Sequence, residues 1–402
     1  MRLLHSVMST LAQTNKPQRK FITHLLGLLL MLPGQATFRN LSRYSTYHER
    51  SLARGYQRPF DFVSLNKAAI TQVVPPENQQ ALVIDASFIP KSGTHTYGLD
   101  RFWNSRHQRS EKGLEVSAIA WLDITDTCAY GLSVEQTPPS DKTAEAQGTR
   151  INAYLEQLRG VVVDHDLTPL RYVITDGYYS KRKFLDGVRA LGLHQIGKLR
   201  HDANLRYLYR GPSRSGPGRP KTYDGKVLWD DLSRFERVPS DDDATTVLYH
   251  QVVNHVHLRR NLRVVLAVDA RTQRRAVLFS TDTDLDAQTI YRSYKARFQI
   301  EFLFRDAKQF TSLSGSQARS RAKLKFHFNA SLSALTLGKL EARQQSGGSP
   351  AGFSMASVKR RAFNEHLLER ISRHLAQGHS LEKSSPGYEA LCDYGTITDM
   401  AA

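Results

Sequence analysis

The chain has 402 residues, and its 56 Lys and Arg outnumber its 38 Asp and Glu by 18. Such an excess of positive charge predicts an anionic partner. Hydrophobic residues make up 40% of the chain, which excludes a disordered tail or a collagen. The two cysteines, Cys128 and Cys392, are too few for a disulfide framework or a Cys-rich zinc site, so a reducing cytoplasm is the predicted compartment.

Residues 1–77 are predicted to form a helical N-terminal region that either binds a partner or braces the fold. Its apolar run, Phe21–Leu32, follows basic residues and resembles the apolar part of a signal peptide. The run is too short to cross a bilayer, and His24 lies inside it. We therefore predict a buried helix, with a signal peptide as the alternative. A basic and aromatic stretch, Phe38–Tyr56, follows.

Residues 78–200 have the pattern of a mixed α/β sheet. Runs of β-branched and aromatic residues predict strands, and apolar residues at helical spacing predict the helices between them. The predicted elements are strands at 81–89, 116–124 and 129–137, a helix at 142–159, a strand at 172–176, a helix at 180–191 that begins at a Ser N-cap, and a strand at 194–199.

The second half of the chain divides into three predicted parts. Residues 201–283 lack a helical period and contain alternating segments, so they are predicted to be an inserted β-rich subdomain. Residues 284–345 are predicted to be helices that close the core, beginning with one long helix at 284–310. A Gly- and Ser-rich linker then leads into a basic helical C-terminal region, 346–402.

Two aspartates stand out against this background. Asp85 lies in the middle of an apolar strand, where an unpaired carboxylate is costly unless a cation or donor meets it. Asp176 ends another apolar strand, and ligand sites in open α/β sheets gather at such strand ends. A single aspartate of this kind also serves as a cap or turn former, so the pair is more informative than either residue alone.

The segment around Glu301 is the most informative part of the sequence. On an α-helix, Tyr294, Arg297, Glu301 and Lys308 fall within roughly a 60° arc on one face. A solvated charged face gives the same spacing. The many Phe, Ile and Leu residues around these four nevertheless favour a mostly buried helix, where charged side chains need a partner.

The spacing Tyr294-x2-Arg297-x3-Glu301-x6-Lys308 matches the YREK signature, and the chain resembles the DDE transposases of bacterial insertion sequences. The resemblance covers residues 78–343 and implies a ribonuclease-H-like mixed sheet flanked by helices. It also implies a β-rich insertion before the last catalytic helix, where 201–283 lies.

The resemblance also implies a metal site. Asp85 in the sequence IDAS and Asp176 in the sequence TDG resemble the first and second metal-binding aspartates of the family, and Glu301 resembles its third acidic residue. Three carboxylates that meet at one place suit two Mg²⁺ ions, with Mn²⁺ as a substitute. Such ions support cleavage of transposon ends and their joining to target DNA without a covalent protein intermediate.

Phosphate contacts are implied for the other three residues of the signature. Tyr294, Arg297 and Lys308 are expected to hold the scissile and neighbouring phosphates at transposon ends. The sequence has no GxxxxGK[ST] motif and no GxGxxG motif after a strand, so no nucleotide cofactor is expected. The histidines form no complete set of zinc ligands, and no membrane partner is predicted.

Basic loops indicate where double-stranded DNA would be bound. Between Lys198 and Lys221, seven Lys or Arg residues accompany one acid, and Gly218-Arg219-Pro220 resembles a short minor-groove hook. Arg219 and Lys221 are therefore predicted phosphate contacts, with a solvated loop as the alternative. In a second basic loop, cations flank two aromatic residues that either bind the DNA backbone or pack in the core: Arg101, Phe102, Trp103, Arg106, Arg109 and Lys112.

The expected partners are the terminal inverted repeats of a transposon and its target DNA. The family expectation is a homodimer in the DNA complex of a cytoplasmic, nucleoid-associated bacterial protein. Two alternatives remain from the sequence. A glycosidase also uses paired carboxylates, although it does not explain the positive charge. A catalytically inactive, transposase-derived DNA-binding protein would keep the same residues.

Overall fold

The structure is a computed structural model that describes residues 2–11, 14–139, 150–212, 220–347 and 353–396. Twelve helices lie within these ranges: α1 (Arg2–Thr10), α2 (Lys16–Met31), α3 (Phe38–Arg43), α4 (Glu49–Gly55), α5 (Phe62–Val73), α6 (Arg150–Val163), α7 (Arg182–Ala190), α8 (Ala287–Ala296), α9 (Gln299–Phe310), α10 (Arg321–Gln345), α11 (Met355–Ala376) and α12 (Pro386–Cys392).

The strands of the described residues form one twelve-stranded, mostly antiparallel sheet. They are β1 (Gln80–Pro90), β2 (Asp100–Asn104), β3 (Arg109–Asp123), β4 (Cys128–Gln136), β5 (Tyr172–Ile174), β6 (His194–Leu199), β7 (Leu205–Leu208), β8 (Tyr223–Lys226), β9 (Glu236–Pro239), β10 (Thr246–His255), β11 (Arg260–Asp269) and β12 (Arg275–Ser280).

The centre of the sheet has the order β4-β3-β1-β5-β6. Strand β1 pairs antiparallel with β3 and parallel with β5, and β5 pairs parallel with β6. The parallel strands are joined by crossovers that contain α6 and α7, as parallel connections require. The predicted order of three strands, helix, strand, helix and strand is therefore observed, and the fold is a mixed α/β fold.

The strands of region 201–283 continue this central sheet. Strand β12 pairs antiparallel with β6, and β11 and β10 follow outward, with β7 and β9 both pairing with β10. These strands also enclose a second hydrophobic cluster that includes Leu205, Val253, Leu262 and Phe279. The region therefore has a small core of its own while sharing its hydrogen-bonded ladder with β6.

The N-terminal helices are packed into the main core. Asn15 caps α2 by accepting a hydrogen bond from the backbone N–H of Gln18, and seven residues of that helix are buried. Leucines of α1 and α2 belong to the same hydrophobic cluster as the central strands and α10. Among the described residues, no helix is long and apolar enough to cross a membrane.

Helix α10 covers the outer side of β4. The side chain of Asn329 bonds both the N–H and the carbonyl of Val134, at 2.9 and 2.8 Å. The hydroxyl of Thr336 accepts from the backbone N–H of Gly131 at 2.8 Å. A Cβ atom at Gly131 would lie 2.2 Å from Leu332, so only glycine permits this close packing.

Several predicted elements need correction. The single helix predicted at 284–310 is wrong, because α8 ends at Ala296 and α9 begins at Gln299. The connection is a tight turn with a hydrogen bond from the N–H of Ile300 to the carbonyl of Arg297. Helix α7 begins at Arg182 with Lys181 as its N-cap residue, so the predicted Ser cap is also wrong. The sequence reasoning missed β2, β7, β8, β9 and α12.

Candidate catalytic site

Asp85 and Asp176 are brought level by two adjacent parallel strands. Val83 of β1 pairs with Ile174 of β5, and each aspartate lies two positions further along its own chain. Asp85 is on β1, and one of its carboxylate oxygens accepts a hydrogen bond from the N–H of Ala86 at 2.8 Å. Asp176 caps the 3₁₀ turn that follows β5 and accepts from the N–H of Tyr178 at 2.9 Å.

Arg297 joins the third acidic residue to this pair. Its guanidinium lies 3.5 Å from a carboxylate oxygen of Asp85 and 2.8 Å from a carboxylate oxygen of Glu301. The Arg297 side chain is 12% exposed, against 41% for Glu301. A buried guanidinium therefore holds together a strand carboxylate and a helix carboxylate that are 216 positions apart in the sequence.

The electrostatics are those of crowded carboxylates with limited solvent. Burial, followed by the charge of Asp176, raises the pKa of Asp85 to about 7. Burial also raises the pKa of Asp176, against the hydrogen bond from Tyr178 and the charge of Arg297. Burial alone would lower the pKa of Arg297, but the hydrogen bond to Glu301 and the nearby anions raise it. A further positive charge beside these carboxylates would therefore be favourable, because it would stabilise their charged forms.

Lys308 and Tyr294 flank the carboxylates. The ammonium of Lys308 donates to the hydroxyl of Ser87 at 2.8 Å and to the carbonyl of Phe88 at 2.9 Å, and burial lowers its pKa. The guanidinium carbon of Arg297 lies 5.6 Å from the ring centre of Tyr294, whose pKa burial raises. All four residues of the Tyr-Arg-Glu-Lys spacing therefore face the same part of the sheet, across the turn between α8 and α9.

The donor set of the site consists of carboxylates. Carboxylate oxygens are the ligands that Mg²⁺ prefers, so the three acidic residues Asp85, Asp176 and Glu301 fit this ion chemically. Within the described part of the chain, however, no group of three or more His, Cys, Asp or Glu side chains is arranged to hold a metal ion. Arg297 forms ion pairs with two of these carboxylates, Asp85 and Glu301.

The other predicted DNA contacts lie elsewhere or outside the described ranges. Lys221 is exposed, and its ammonium pairs with Asp224 at 2.6 Å and lies 4.7 Å from the ring centre of Tyr209. Arg219 is outside the described residues. Lys221 is therefore part of a local surface ion pair, and it makes no contact with the carboxylate cluster.

Sequence reasoning missed Ser87 and Tyr179. Ser87 lies two positions after Asp85, so it shares that face of β1 and receives Lys308. Tyr179 is buried beside both aspartates, whose charges add to the effect of burial in raising its pKa. The period of two along β1 is a sequence signal for Ser87, whereas Tyr179 becomes visible only through the tertiary packing.

Residues 10–256 match the family model described as DDE superfamily endonuclease, which is more than half of the chain. The chain belongs to this DDE superfamily endonuclease family. Asp85 and Asp176 lie within the matched residues, and Glu301 lies beyond them. Membership in this family indicates a role in DNA processing. Two of the three acidic residues of the candidate site lie inside the region that the family model matches.

A solved transposase structure has a limited similarity to this DDE endonuclease. A cryo-EM structure titled as a piggyBac transposase synaptic complex with hairpin DNA is 11% identical to this chain. The alignment covers 97% of this chain and 80% of that chain with a TM-score of 0.43, which is too low to support an inference. No curated protein matches the sequence.

Proposed function

We propose that this DDE endonuclease is a transposase of a bacterial insertion sequence, in the group with the YREK signature. The observation that carries the proposal is the placement of Asp85, Asp176 and Glu301 around Arg297, from the middle of β1, the end of β5 and the first turn of α9. The strand order β4-β3-β1-β5-β6, with three parallel strands beside an antiparallel pair, supports a ribonuclease-H-like core.

The proposed reaction is hydrolysis of a phosphodiester at each transposon end, followed by attack of the released 3′-hydroxyl on a target phosphate. Bound Mg²⁺ would activate the attacking oxygen and stabilise the leaving oxygen. Asp85, Asp176 and Glu301 would hold the ions. To hold an ion, Glu301 would have to give up its ion pair with Arg297, because both use the same carboxylate.

The same exchange gives Arg297 its role toward DNA. Once Glu301 is released, the guanidinium is free to donate to phosphate oxygens next to the scissile bond. Lys308 bonds Ser87 and Phe88 of β1, and in this proposal its ammonium also contacts a phosphate beside that strand. Tyr294 lies beside Arg297, and in this proposal its hydroxyl donates to a neighbouring phosphate.

The proposed partners are the terminal inverted repeats and the target DNA, bound by a homodimer, and the proposed location is the nucleoid in the cytoplasm. The net charge of +18 supports a polyanionic partner. A salt-dependent affinity spread over many Lys and Arg residues is expected, because each neutralised phosphate releases counterions.

The test begins with the DNA that flanks the gene. Duplexes carrying its inverted repeats are incubated with protein and Mg²⁺, Mn²⁺ or EDTA, and cleavage is followed on gels. We expect specific cuts at the repeat ends with either metal and none with EDTA. Asp85→Asn, Asp176→Asn and Glu301→Gln should abolish cutting, whereas Asp230→Asn, at a fully exposed carboxylate, should not. Binding without cleavage would favour an inactive DNA-binding derivative.

A further inference from the structure

A β-hairpin extends the sheet beyond the end of β1. Strand β2 pairs antiparallel with the first five residues of β3, from Asp100 opposite Gly113 to Asn104 opposite Arg109. The other end of β3 pairs with β1, where Pro90 lies opposite Gly113. The hairpin therefore begins where β1 ends and projects away from the strand that carries Asp85.

The two faces of this hairpin differ in exposure. On the inner face Phe102 is fully buried, and the Arg150 guanidinium carbon lies 5.0 Å from its ring centre. On the outer face Trp103 is 53% exposed, and Arg101 and Lys112 are exposed beside it on paired positions of the two strands. An exposed aromatic ring beside a cross-strand pair of cations on a projecting hairpin is a surface that the packing of the core does not require.

The outer face continues the face of the sheet that carries Asp85. Asp85 lies opposite Ala118 of β3, and alternate residues from Ala118 lead without a register shift to Lys112 and Ser110. Trp103 lies opposite Ser110. At about 3.3 Å per residue, Lys112 and Ser110 are roughly 20 and 26 Å along the strand from Ala118.

The charge of the hairpin favours an anionic partner. Its cations are Arg101, Arg106, Arg109 and Lys112, and its acids are Asp100 and Glu111. Glu111 is already bonded by Arg109 at 2.6 Å and by Asn104 at 2.7 Å. The guanidinium of Arg101 donates to the carbonyl of Ser110 at 2.8 Å, which holds its charge beside Trp103.

We propose that the outer face of the β2–β3 hairpin, formed by Arg101, Trp103 and Lys112, docks the duplex whose scissile phosphate lies at Asp85. This inference rests on the proposed function. At 3.4 Å per base pair, the contact falls roughly six to eight base pairs from the cut. Arg101 and Lys112 bind phosphates of the backbone, and Trp103 packs against a sugar or a base edge between them.

The first experiment measures affinity of the full-length protein for a 30-bp duplex of arbitrary sequence over a salt series. Lys112→Glu and Trp103→Ala should weaken binding at least threefold at low salt, and Lys112→Glu should reduce the log–log salt slope by about one. Trp103→Phe should retain most of the affinity. Arg271→Glu, the same charge change in the exposed β11–β12 turn, is the control. Equal losses for Lys112→Glu and Arg271→Glu would overturn the proposal.

The second experiment locates the contact. Duplexes with a terminal repeat keep either 4 or 12 base pairs beyond the cut, on one side and then on the other. Shortening one of the two sides should weaken wild-type binding, and it should weaken Trp103→Ala binding less, because that variant has already lost the Trp103 contact. Acrylamide quenching of Trp103 is obtained by subtracting the fluorescence quenching of Trp103→Phe from that of the wild type. This quenching should fall when the long duplex is added. Unchanged quenching, or equal effects of shortening on both proteins, would overturn the docking role.

The results of the two experiments distinguish failure of the docking proposal from failure of the proposed function. A wild-type protein that neither binds nor cuts the repeats contradicts both. Wild-type cleavage together with hairpin variants that bind and cut normally contradicts the docking surface alone. If Trp103→Ala changes the oligomeric state without DNA and leaves DNA affinity intact, the surface contacts a second copy of the chain, and the DNA assignment is wrong.

Discussion

Asp85 lies in a crowded and poorly solvated group of carboxylates. Its carboxylate lies beside Asp176 with its side chain 20% exposed, and the cation it contacts is a guanidinium 3.5 Å away that also binds Glu301. Crowded, poorly solvated carboxylates destabilise a fold while preparing it to bind a divalent cation.

Asp85→Asn should therefore stabilise the metal-free protein. Removing one of the crowded charges is expected to raise the free energy of unfolding in EDTA by about 1–2 kcal/mol while abolishing cleavage. Urea denaturation with EDTA or Mg²⁺ checks this, and Mg²⁺ should stabilise only the wild type. Asp230→Asn is the exposed control. A less stable Asp85→Asn protein would mean that the pair with Arg297 outweighs the crowding.

His327 should make the fold sensitive to acid. It is fully buried on α10, its ring bonds the carbonyl of Ser312 at 2.8 Å, and burial lowers its pKa to about 4. Below its unfolded pKa of about 6.5 the unfolded chain binds a proton that the folded chain excludes. Stability is therefore full above that pH and falls by up to about 3 kcal/mol as the pH drops toward 4.

His327→Gln keeps an N–H donor and removes the titration, so its unfolding free energy should depend less on pH between 6.5 and 4. Urea denaturation at several pH values measures the difference. Burial also lowers the pKa of His255 to about 4, so His255→Gln should reduce the dependence further. Parallel pH profiles for wild type and His327→Gln would contradict the assignment.

At the scale of elements, α10 is fixed to the turn between β3 and β4 by a buried ion pair. The guanidinium of Arg343 lies 3.0 Å from Asp123, with side chains 5% and 0% exposed, and it also pairs with Asp126. Asn78 donates to both aspartates at 2.9 Å. These contacts hold the C-terminal end of α10 against the sheet that contains β1 and β5.

Arg343→Met should leave Asp123 as an unpaired buried charge and cost about 3–5 kcal/mol of unfolding free energy. The double variant Arg343→Met with Asp123→Asn should recover part of this loss. Denaturant titration gives both values. Arg361→Met, which removes an exposed pair with Glu365, should cost less than about 1 kcal/mol. A double variant no more stable than Arg343→Met would show that packing dominates the loss.

The elements also show what a sequence can predict. Strands β1, β3, β4, β10 and β11 were predicted because runs of β-branched and aromatic residues mark them. The turn between α8 and α9 was not, because the segment contains neither Pro nor Gly and its residues favour a helix. Strand β2 was missed because it is five residues long and has Asp100, Arg101 and Asn104 at its ends, and it is a strand only through its pairing with β3.

The candidate site was predictable as a set of residues and unpredictable as a set of contacts. Unusual charges in apolar segments identify Asp85 and Glu301. The pairing of Arg297 with both, and of Lys308 with Ser87, depends on how the turn between α8 and α9 meets β1. Their catalytic roles remain predictions.

At the scale of the whole molecule, the N-terminal helices and the sheet share one hydrophobic cluster. Leu4, Leu25, Leu26 and Leu65 are fully buried in it. The N-terminal helices can therefore brace the fold and bind DNA with different faces. Their apolar faces point into the core, whereas Arg39, Arg50 and Arg54 are exposed.

Deleting residues 1–75 should unfold the protein, because the deletion exposes the apolar surface of α10 and β4 that these helices cover. Circular dichroism and thermal unfolding should show no cooperative transition. The triple variant Arg39→Glu, Arg50→Glu and Arg54→Glu should keep the cooperative unfolding transition. This variant therefore tests whether these arginines help to distinguish terminal-repeat DNA from random DNA. A folded, cooperative deletion variant would mean that the remaining chain closes its own core.

The long connections of the sheet have a consequence for synthesis of the protein. Strand β6 meets its partner β12 only about 80 residues later, and Glu301 emerges 216 residues after Asp85. At about 5–20 residues per second, roughly 10–40 seconds separate the two carboxylates on a growing chain. Under the proposed function, the nascent chain lacks the third acidic residue of the site during that interval. Synthesis of α9 is thus the step that would complete the proposed site.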